Sequence, residues 1–347
     1  MRRHRPFHSA AMMSPLPGWM LVPALLIAAS LIVTPQPVEA TKYAAEFLKI
    51  GAGARPLGMG AGFAALADDA SAAYWNPAGL VFMDRSELLF MHAEFLGTLA
   101  NYDYASFAQP LDQGKRRSAI GVSVARFAVD DIQVTANGYD DLNDNGRYDE
   151  GEPLRMDKFY RDSDTEYAVF LTYATAFRPT FRVGGNLKLI RQDLLGTKSF
   201  GMGVDLGFLY LASPSLTVGL RLADITTTQI SWDTGHNETV NPTATLGFAY
   251  SRPVSALQGT VTLTADLATN FEGRKEVSQF GGDGFAGDFN GGVEYWFHKT
   301  LALRAGAYAG TFTAGGGLRY RGLGVDYAFV PNDDLDDTHR VSGSINF

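Results

Sequence analysis

Residues 141–152 carry the most specific chemistry in this chain: Asp141, Leu142, Asn143, Asp144, Asn145, Gly146, Arg147, Tyr148, Asp149, Glu150, Gly151, Glu152. Oxygen donors recur at alternate positions, and the series closes on a glutamate. The spacing satisfies D-x-[DN]-x-[DN]-G-x5-E, the calcium loop of EF-hands. Calcium is a hard cation that takes six to eight oxygens. Asp141, Asn143 and Asn145 offer side-chain oxygens, Arg147 its backbone carbonyl, Asp149 a direct or water-mediated ligand, and Glu152 both carboxylate oxygens. Gly146 permits the sharp turn between them. The competing reading is an Asx-rich solvated turn that holds no ion. The expectation is a structural Ca2+ and no organic cofactor.

Other chemistry is sparse. Asp333, Asp334, Asp336 and Asp337 form a second acidic cluster, which either recruits divalent ions shared with lipopolysaccharide or simply keeps a loop in water. The histidines His92, His236, His298 and His339 are scattered, with no two at ligand spacing on one element. The chain has no cysteine, which excludes thiol chemistry, Cys-based zinc sites and a disulfide framework. No nucleophile motif stands out, so no enzymatic activity and no catalytic residue are expected. A net charge of −8 makes nucleic acid a poor partner. Gly51-Ala52-Gly53 lacks the third glycine of a dinucleotide loop and has Pro56 in its place.

The elements that must hold these residues are strands. Met202, Val204, Leu206, Phe208 and Tyr210 alternate with Gly201, Gly203, Asp205 and Gly207. Leu323, Val325, Tyr327 and Phe329 alternate with Gly324, Asp326 and Ala328. The period of two marks one greasy and one wet face. Such repetition, with charges on the wet face, predicts an all-β fold: a transmembrane antiparallel β-barrel over residues 85–347. About fourteen strands are expected, near 85–95, 100–110, 117–128, 164–177, 180–192, 199–212, 215–225, 241–251, 259–269, 287–298, 300–309, 311–320, 322–330 and 338–347. An even count closes the sheet and leaves no open edge in lipid. Connections after even-numbered strands are short, and most of those after odd-numbered strands are longer. The short ones read as periplasmic turns and the long ones as external loops. The calcium pattern then falls in the longest external loop, 129–163. The expected place is the bacterial outer membrane, in contact with its lipid and lipopolysaccharide.

The ends agree with export. Residues 1–40 read as a signal peptide, with Arg2, Arg3 and Arg5 before a short apolar run and Val38-Glu39-Ala40 before Thr41. The rival reading is a membrane anchor, but the run is shorter than the roughly 20 residues a spanning helix needs. The last strand puts Val341, Gly343, Ile345 and Phe347 on its greasy face. A terminal Phe there resembles the assembly signal of outer-membrane barrels, which implies the barrel-assembly machinery as a partner.

Residues 41–84 lack alternation and are rich in Gly and Ala. They form either a plug inside the barrel or a periplasmic arm. Asp68 or Asp69 is expected to cap a brief helix running to Trp75. The segment reads Glu46-Phe47-Leu48-Lys49-Ile50-Gly51-Ala52-Gly53-Ala54-Arg55-Pro56-Leu57-Gly58-Met59-Gly60, then Ala67-Asp68-Asp69-Ala70-Ser71, then Tyr74-Trp75-Asn76-Pro77-Ala78-Gly79-Leu80. It closely resembles the start of PorV/PorQ-family outer-membrane proteins, a branch of the FadL-like barrels. The resemblance implies a 14-stranded barrel with a plug and an accessory role in type IX-like secretion or surface attachment. Secretion components or exported proteins would be the partners. The alternative is FadL-like transport of hydrophobic small molecules. Within the segment, Gly51, Gly53, Gly58 and Gly60 allow turns and close approach to a wall. Arg55 is expected to pair with Asp205, Asp266 or Glu294, and Trp75 to anchor plug to wall. Asn76 before Pro77 favours an extended or turn conformation.

Overall fold

The computed structural model describes residues 45–347, apart from 96–98, 113–115, 136–137, 272–277, 283 and 332–336. The expected signal peptide and Asp333, Asp334 and Asp336 lie outside the described residues.

The described residues form seventeen strands in one antiparallel sheet. In order they are β1 (Glu87–Phe95), β2 (Ala100–Asp112), β3 (Arg117–Val134), β4 (Tyr160–Arg178), β5 (Phe181–Leu194) and β6 (Thr197–Leu211). There follow β7 (Leu216–Ala223), β8 (Thr228–Trp232), β9 (Asn237–Val240), β10 (Thr243–Val254), β11 (Gly259–Asn270) and β12 (Phe280–Gly282). The last are β13 (Phe285–Phe297), β14 (Leu301–Tyr308), β15 (Thr311–Tyr320), β16 (Leu323–Val330) and β17 (Thr338–Asn346). Each wall strand pairs with its neighbours, β7 with β10 and β11 with β13 among them. The sheet closes where β1 takes both β2 and β17, with Leu88 opposite Phe107 on one side and Ile345 on the other. Without β8, β9 and β12 the wall is a closed 14-stranded barrel, as the alternation predicts.

Those three strands were not legible as separate elements. The hairpin β8–β9 lies in the predicted loop after the seventh strand, and β8 pairs with β6 beyond the end of β7, Ser199 opposite Trp232. Five and four residues are too few for a clear period. The third and fourth strands also run further outward than the alternation indicated, to Val134 and from Tyr160. Their pairing shifts register between Val129 and Ile132, beside Asp131 at φ 60°. A bulge of this kind adds a residue to one strand and breaks the period.

The alternation sorts faces as read. Met202, Leu263, Val325, Val341 and Ile345 are exposed on the outside, while Asp205, Asp266, Glu294 and Asp326 are buried inside. The main core belongs to residues 45–83, which pack against the inward face of the wall. Ala52, Ala54, Met59, Phe63, Ala72 and Leu80 are all fully buried. Of the two readings of this segment, the plug describes the structure.

Candidate functional site

Short turns and bends, rather than long helices, build the plug. An α-helix spans Ala54–Gly58, another Ala72–Trp75, and a 3-10 helix Pro77–Phe82. The helix ending at Trp75 starts after Ser71, not after a capping aspartate. Asp69 instead accepts from Ser71 N (2.9 Å) and Ser71 Oγ (2.5 Å), folding the turn just ahead of the helix. Asn76 caps the 3-10 helix by accepting from Ala78 N at 3.2 Å. Its amide nitrogen donates to Ala64 O at 2.7 Å and to Phe208 O of β6 at 3.3 Å. Pro77 follows at the first helical position, where its missing N–H costs nothing.

Contacts on many strands fasten this plug. Ala54 N donates to Ser342 Oγ (2.8 Å), Gly53 N to Met91 Sδ (3.1 Å), and Ala70 N to Glu87 Oε2 (2.9 Å). Asn186 Nδ2 donates to Ala73 O (2.7 Å), and Arg340 to Ile50 O. Phe63 N and Ala64 N both donate to Asp266 Oδ2, at 2.9 and 2.8 Å. At several wall glycines plug backbone lies directly against the wall. A Cβ on Gly292 would meet Met59 O at 2.6 Å. One on Gly60, itself at φ 62°, would meet Ala307 N at 2.5 Å. Gly184 and Gly207 of the wall take the Asn76–Pro77–Ala78 corner in the same way. Gly51 and Gly53 also hold positive φ, 92° and 84°, which side chains disfavour.

Arg55 is the electrostatic centre. It meets Glu294 in a two-pronged fork, Nε to Oε2 and Nη2 to Oε1, both 2.9 Å. Its Nη1 reaches Asp68 at 2.6 Å and Asp69 at 3.1 Å. Of its three expected partners, only Glu294 is one. Asp266 is taken by the plug amides, and Asp205 by Lys188 at 3.2 Å, which also contacts Asp224. The ion chain continues along the wall. Arg304 bridges Glu294 (2.7 Å) and Asp326 (2.8 Å), and Arg319 closes on Asp326 (2.6 Å). The hydrogen bond and ring contacts of Trp75 lie within the plug, while the helix that it ends packs against β3 and β4. The indole Nε1 donates to Ala52 O at 2.6 Å, and the ring meets Tyr74 at 4.9 Å and Phe63 at 6.4 Å, both edge-on. The sequence could not separate these cases, because the plug's path along the lumen is set by its turns.

Between plug and wall, at the end of the long loops, lies a cleft of about 320 Å³. Tyr74, Trp75, Ala61 and Ala64 form its plug side. Tyr308, Arg221, Asp266, Thr245 and Asn290 form its wall side. Arg221 lies 5.5 Å from the Tyr74 ring centroid, a cation over an aromatic face. Glu46, Leu48 and Lys49 of the plug also line it, so aromatic, small and charged side chains mix in the lining. No candidate from the pattern at 141–152 reaches it.

That pattern stands on its own in the outer loop. Asp141 Oδ2 accepts from Gly146 N at 2.7 Å, with Gly146 at φ 73°. Glu152 accepts from Leu142 N (2.9 Å) and Asp149 N (3.0 Å), joining the two ends of the loop. Asn143 and Asn145 both donate to Asp149 Oδ2 at 2.7 Å. The Gly146 amide holds the Asp141 carboxyl below the usual carboxylate range. Among the described residues, no three His, Asp or Glu side chains gather closely enough to hold a metal ion. Phe347, the expected assembly signal, donates from its backbone N to Ser86 O (3.0 Å), and its ring stacks on Phe107 at 6.5 Å.

No family model matches the chain, and no curated protein matches it. Solved structures do. The toluene transporter TbuX of Ralstonia pickettii superposes with a TM-score of 0.55 at 16% identity, over 86% of this chain and 98% of its own. The toluene transporter TodX of Pseudomonas putida gives 0.53 at 13%, over 85% and 97%. A FadL homologue of Pseudomonas aeruginosa gives 0.51 at 12%, over 85% and 98%. The likeness runs the length of the barrel and is one of fold: this chain is a plugged 14-stranded outer-membrane barrel of FadL-like architecture.

Proposed function

We propose that this barrel passes hydrophobic small molecules across the outer membrane and receives them in the cleft above Tyr74 and Trp75. The observation that carries the reading is that cleft, set in a wall whose fold is shared with hydrocarbon transporters. Its size suits a single small molecule rather than a chain of protein. Tyr74, Trp75 and Tyr308 in its lining offer apolar aromatic area to such a guest. The test is uptake of radiolabelled toluene by cells that lack their own hydrocarbon transporters. Expression of the barrel should raise the uptake rate. A disulfide between Ala54→Cys and Ser342→Cys, which joins plug to wall, should lower it again until reduced. Uptake equal to that of cells without the barrel overturns the proposal.

The secretion reading keeps one support, the resemblance of residues 46–80 to PorV/PorQ proteins. Isolation of the barrel from native membranes with secretion components bound, together with no effect on uptake, would favour it over transport.

We also propose that the 141–152 loop takes a structural Ca2+. The donors there are hard oxygens in the required order, and Gly146 already holds the turn. Asp141, Asn143, Asn145, Asp149 and Glu152 would supply side chains, and Arg147 its carbonyl. The ion would supply charge neutralisation for a loop with little apolar core. Calorimetric titration of the purified barrel with Ca2+ tests this, and no heat above the Asp141→Ala control refutes it.

A further inference from the structure

At one end of this barrel the long loops and the strand ends beside them carry Asp130, Asp131, Asp140, Asp144, Asp162 and Asp233, and the bases Arg155, Lys158, Arg161 and Lys198 there pair with acids. The opposite rim carries bases. Arg85 precedes β1, Arg116 precedes β3, and Arg178 ends β4. Arg252 stands near the end of β10, Lys299 between β13 and β14, and Arg321 between β15 and β16. All six are exposed. None has an acidic partner among the described residues. The one exposed acid described at this rim, Asp84, is held by Arg117.

Two further observations say what these cations face. Four of them stand beside outward aromatic rings. Arg116 and Arg178 flank the exposed Phe177 at 5.7 and 6.0 Å, and Arg321 lies 5.2 Å from the exposed Tyr320. Phe297, next but one to Lys299, is also exposed. Aromatic girdles mark the depth where hydrocarbon meets headgroup. The six are also spread around the whole circumference, one at every short-turn position except that between β6 and β7. A docked protein touches one side of a rim. A ring of cations fits a ring of small anions.

We propose that this rim binds the anionic phospholipids of the periplasm-facing leaflet as an annulus, each phosphate held by an unpaired Arg or Lys. Short turns place the rim on the periplasmic side. Lys and Arg near an anionic surface are attracted within about a Debye length, so the preference is electrostatic and falls with salt.

The test uses the full barrel in phosphatidylcholine vesicles containing one quarter phosphatidylglycerol. Spin-labelled lipids of each class report their relative occupancy at the protein surface. The intact barrel should favour phosphatidylglycerol by about threefold or more at low salt, falling toward parity near 1 M salt, where the screening length is about 3 Å. Replacing Arg85, Arg116, Arg178, Arg252, Lys299 and Arg321 by Gln together should abolish the preference. Two half-ring variants, Arg85/Arg116/Arg178→Gln and Arg252/Lys299/Arg321→Gln, guard against misfolding of the sixfold variant, and each should lose about half. Asp140→Asn with Asp162→Asn, at the other end, should change nothing. No preference in the intact barrel overturns the proposal, as does a preference that survives in the folded Gln variants. Capture of an acidic periplasmic protein by a barrel without lipid preference overturns it too.

Discussion

Replacing Arg55 with Met should release the plug while leaving the barrel intact. The side chain of Arg55 is 12% exposed and that of Glu294 1%. Removing one partner of a buried ion pair costs about 3–5 kcal/mol, because the other charge is stranded. Glu294 keeps Arg304 at 2.7 Å, which places the loss at the lower end, about 3 kcal/mol. The Asp68 arm adds little, since that carboxylate is 38% exposed, and exposed pairs are worth about 0–1 kcal/mol. At about 1.4 kcal/mol per factor of ten, plug opening becomes roughly 100-fold more frequent. The chain has no cysteine, so one introduced at the fully buried Ala72 reports opening directly through its rate of thiol labelling. The rate should rise about 100-fold in Arg55→Met, and about tenfold in Arg55→Lys, which keeps the charge but not the fork. The folded barrel should still resist heat and detergent, because its ladder bonds do not involve Arg55. Labelling rates within about threefold of the parent would refute the claim that this arginine holds the plug, at odds with the buried-pair cost.

Three other outcomes follow from the geometry. Asp141→Ala with Glu152→Ala should abolish calcium-dependent protection of residues 129–163 from protease; equal cleavage of the parent with and without calcium counts against an ion there. Asp141 is held below its usual range by the Gly146 amide, so its contribution is complete above the free carboxylate value of about 3.9 and fades as pH falls below it; loop protection in the absence of calcium should be flat from pH 7 to 5 and weaken below about 4. Gly184→Ala places a Cβ on the backbone of Pro77 and Ala78 and should destabilise plug docking by about 1–3 kcal/mol, read as faster labelling of the Ala72→Cys thiol; a change under twofold would show that the corner shifts freely.

The wall was legible in the sequence because its signal is local. Met202 to Tyr210 declare their face by alternation alone, and a closed barrel requires that face to meet lipid. The plug was legible as a segment and not as a set of contacts. Arg55 found Glu294 but not Asp205 or Asp266, because Lys188 holds the first and the amides of Phe63 and Ala64 hold the second. No period in residues 45–83 reports which strand each turn will touch. Trp75 is a related case: a large aromatic in a Gly-rich stretch suggests an anchor, but nothing in the sequence says that its indole meets Ala52, Tyr74 and Phe63 of the plug. The glycines of the wall held the missing signal. Gly184, Gly207 and Gly292 lie on inward faces where the plug backbone approaches, and their spacing traces its path only once the register between strands is known.

The strand that closes the barrel is also one that holds the plug. Ser342 and Arg340 of β17 take Ala54 and Ile50, while β17 zips to β1, Val341 opposite His92. Pairing of β17 with β1 therefore completes the wall and brings two of the plug's moorings into place together.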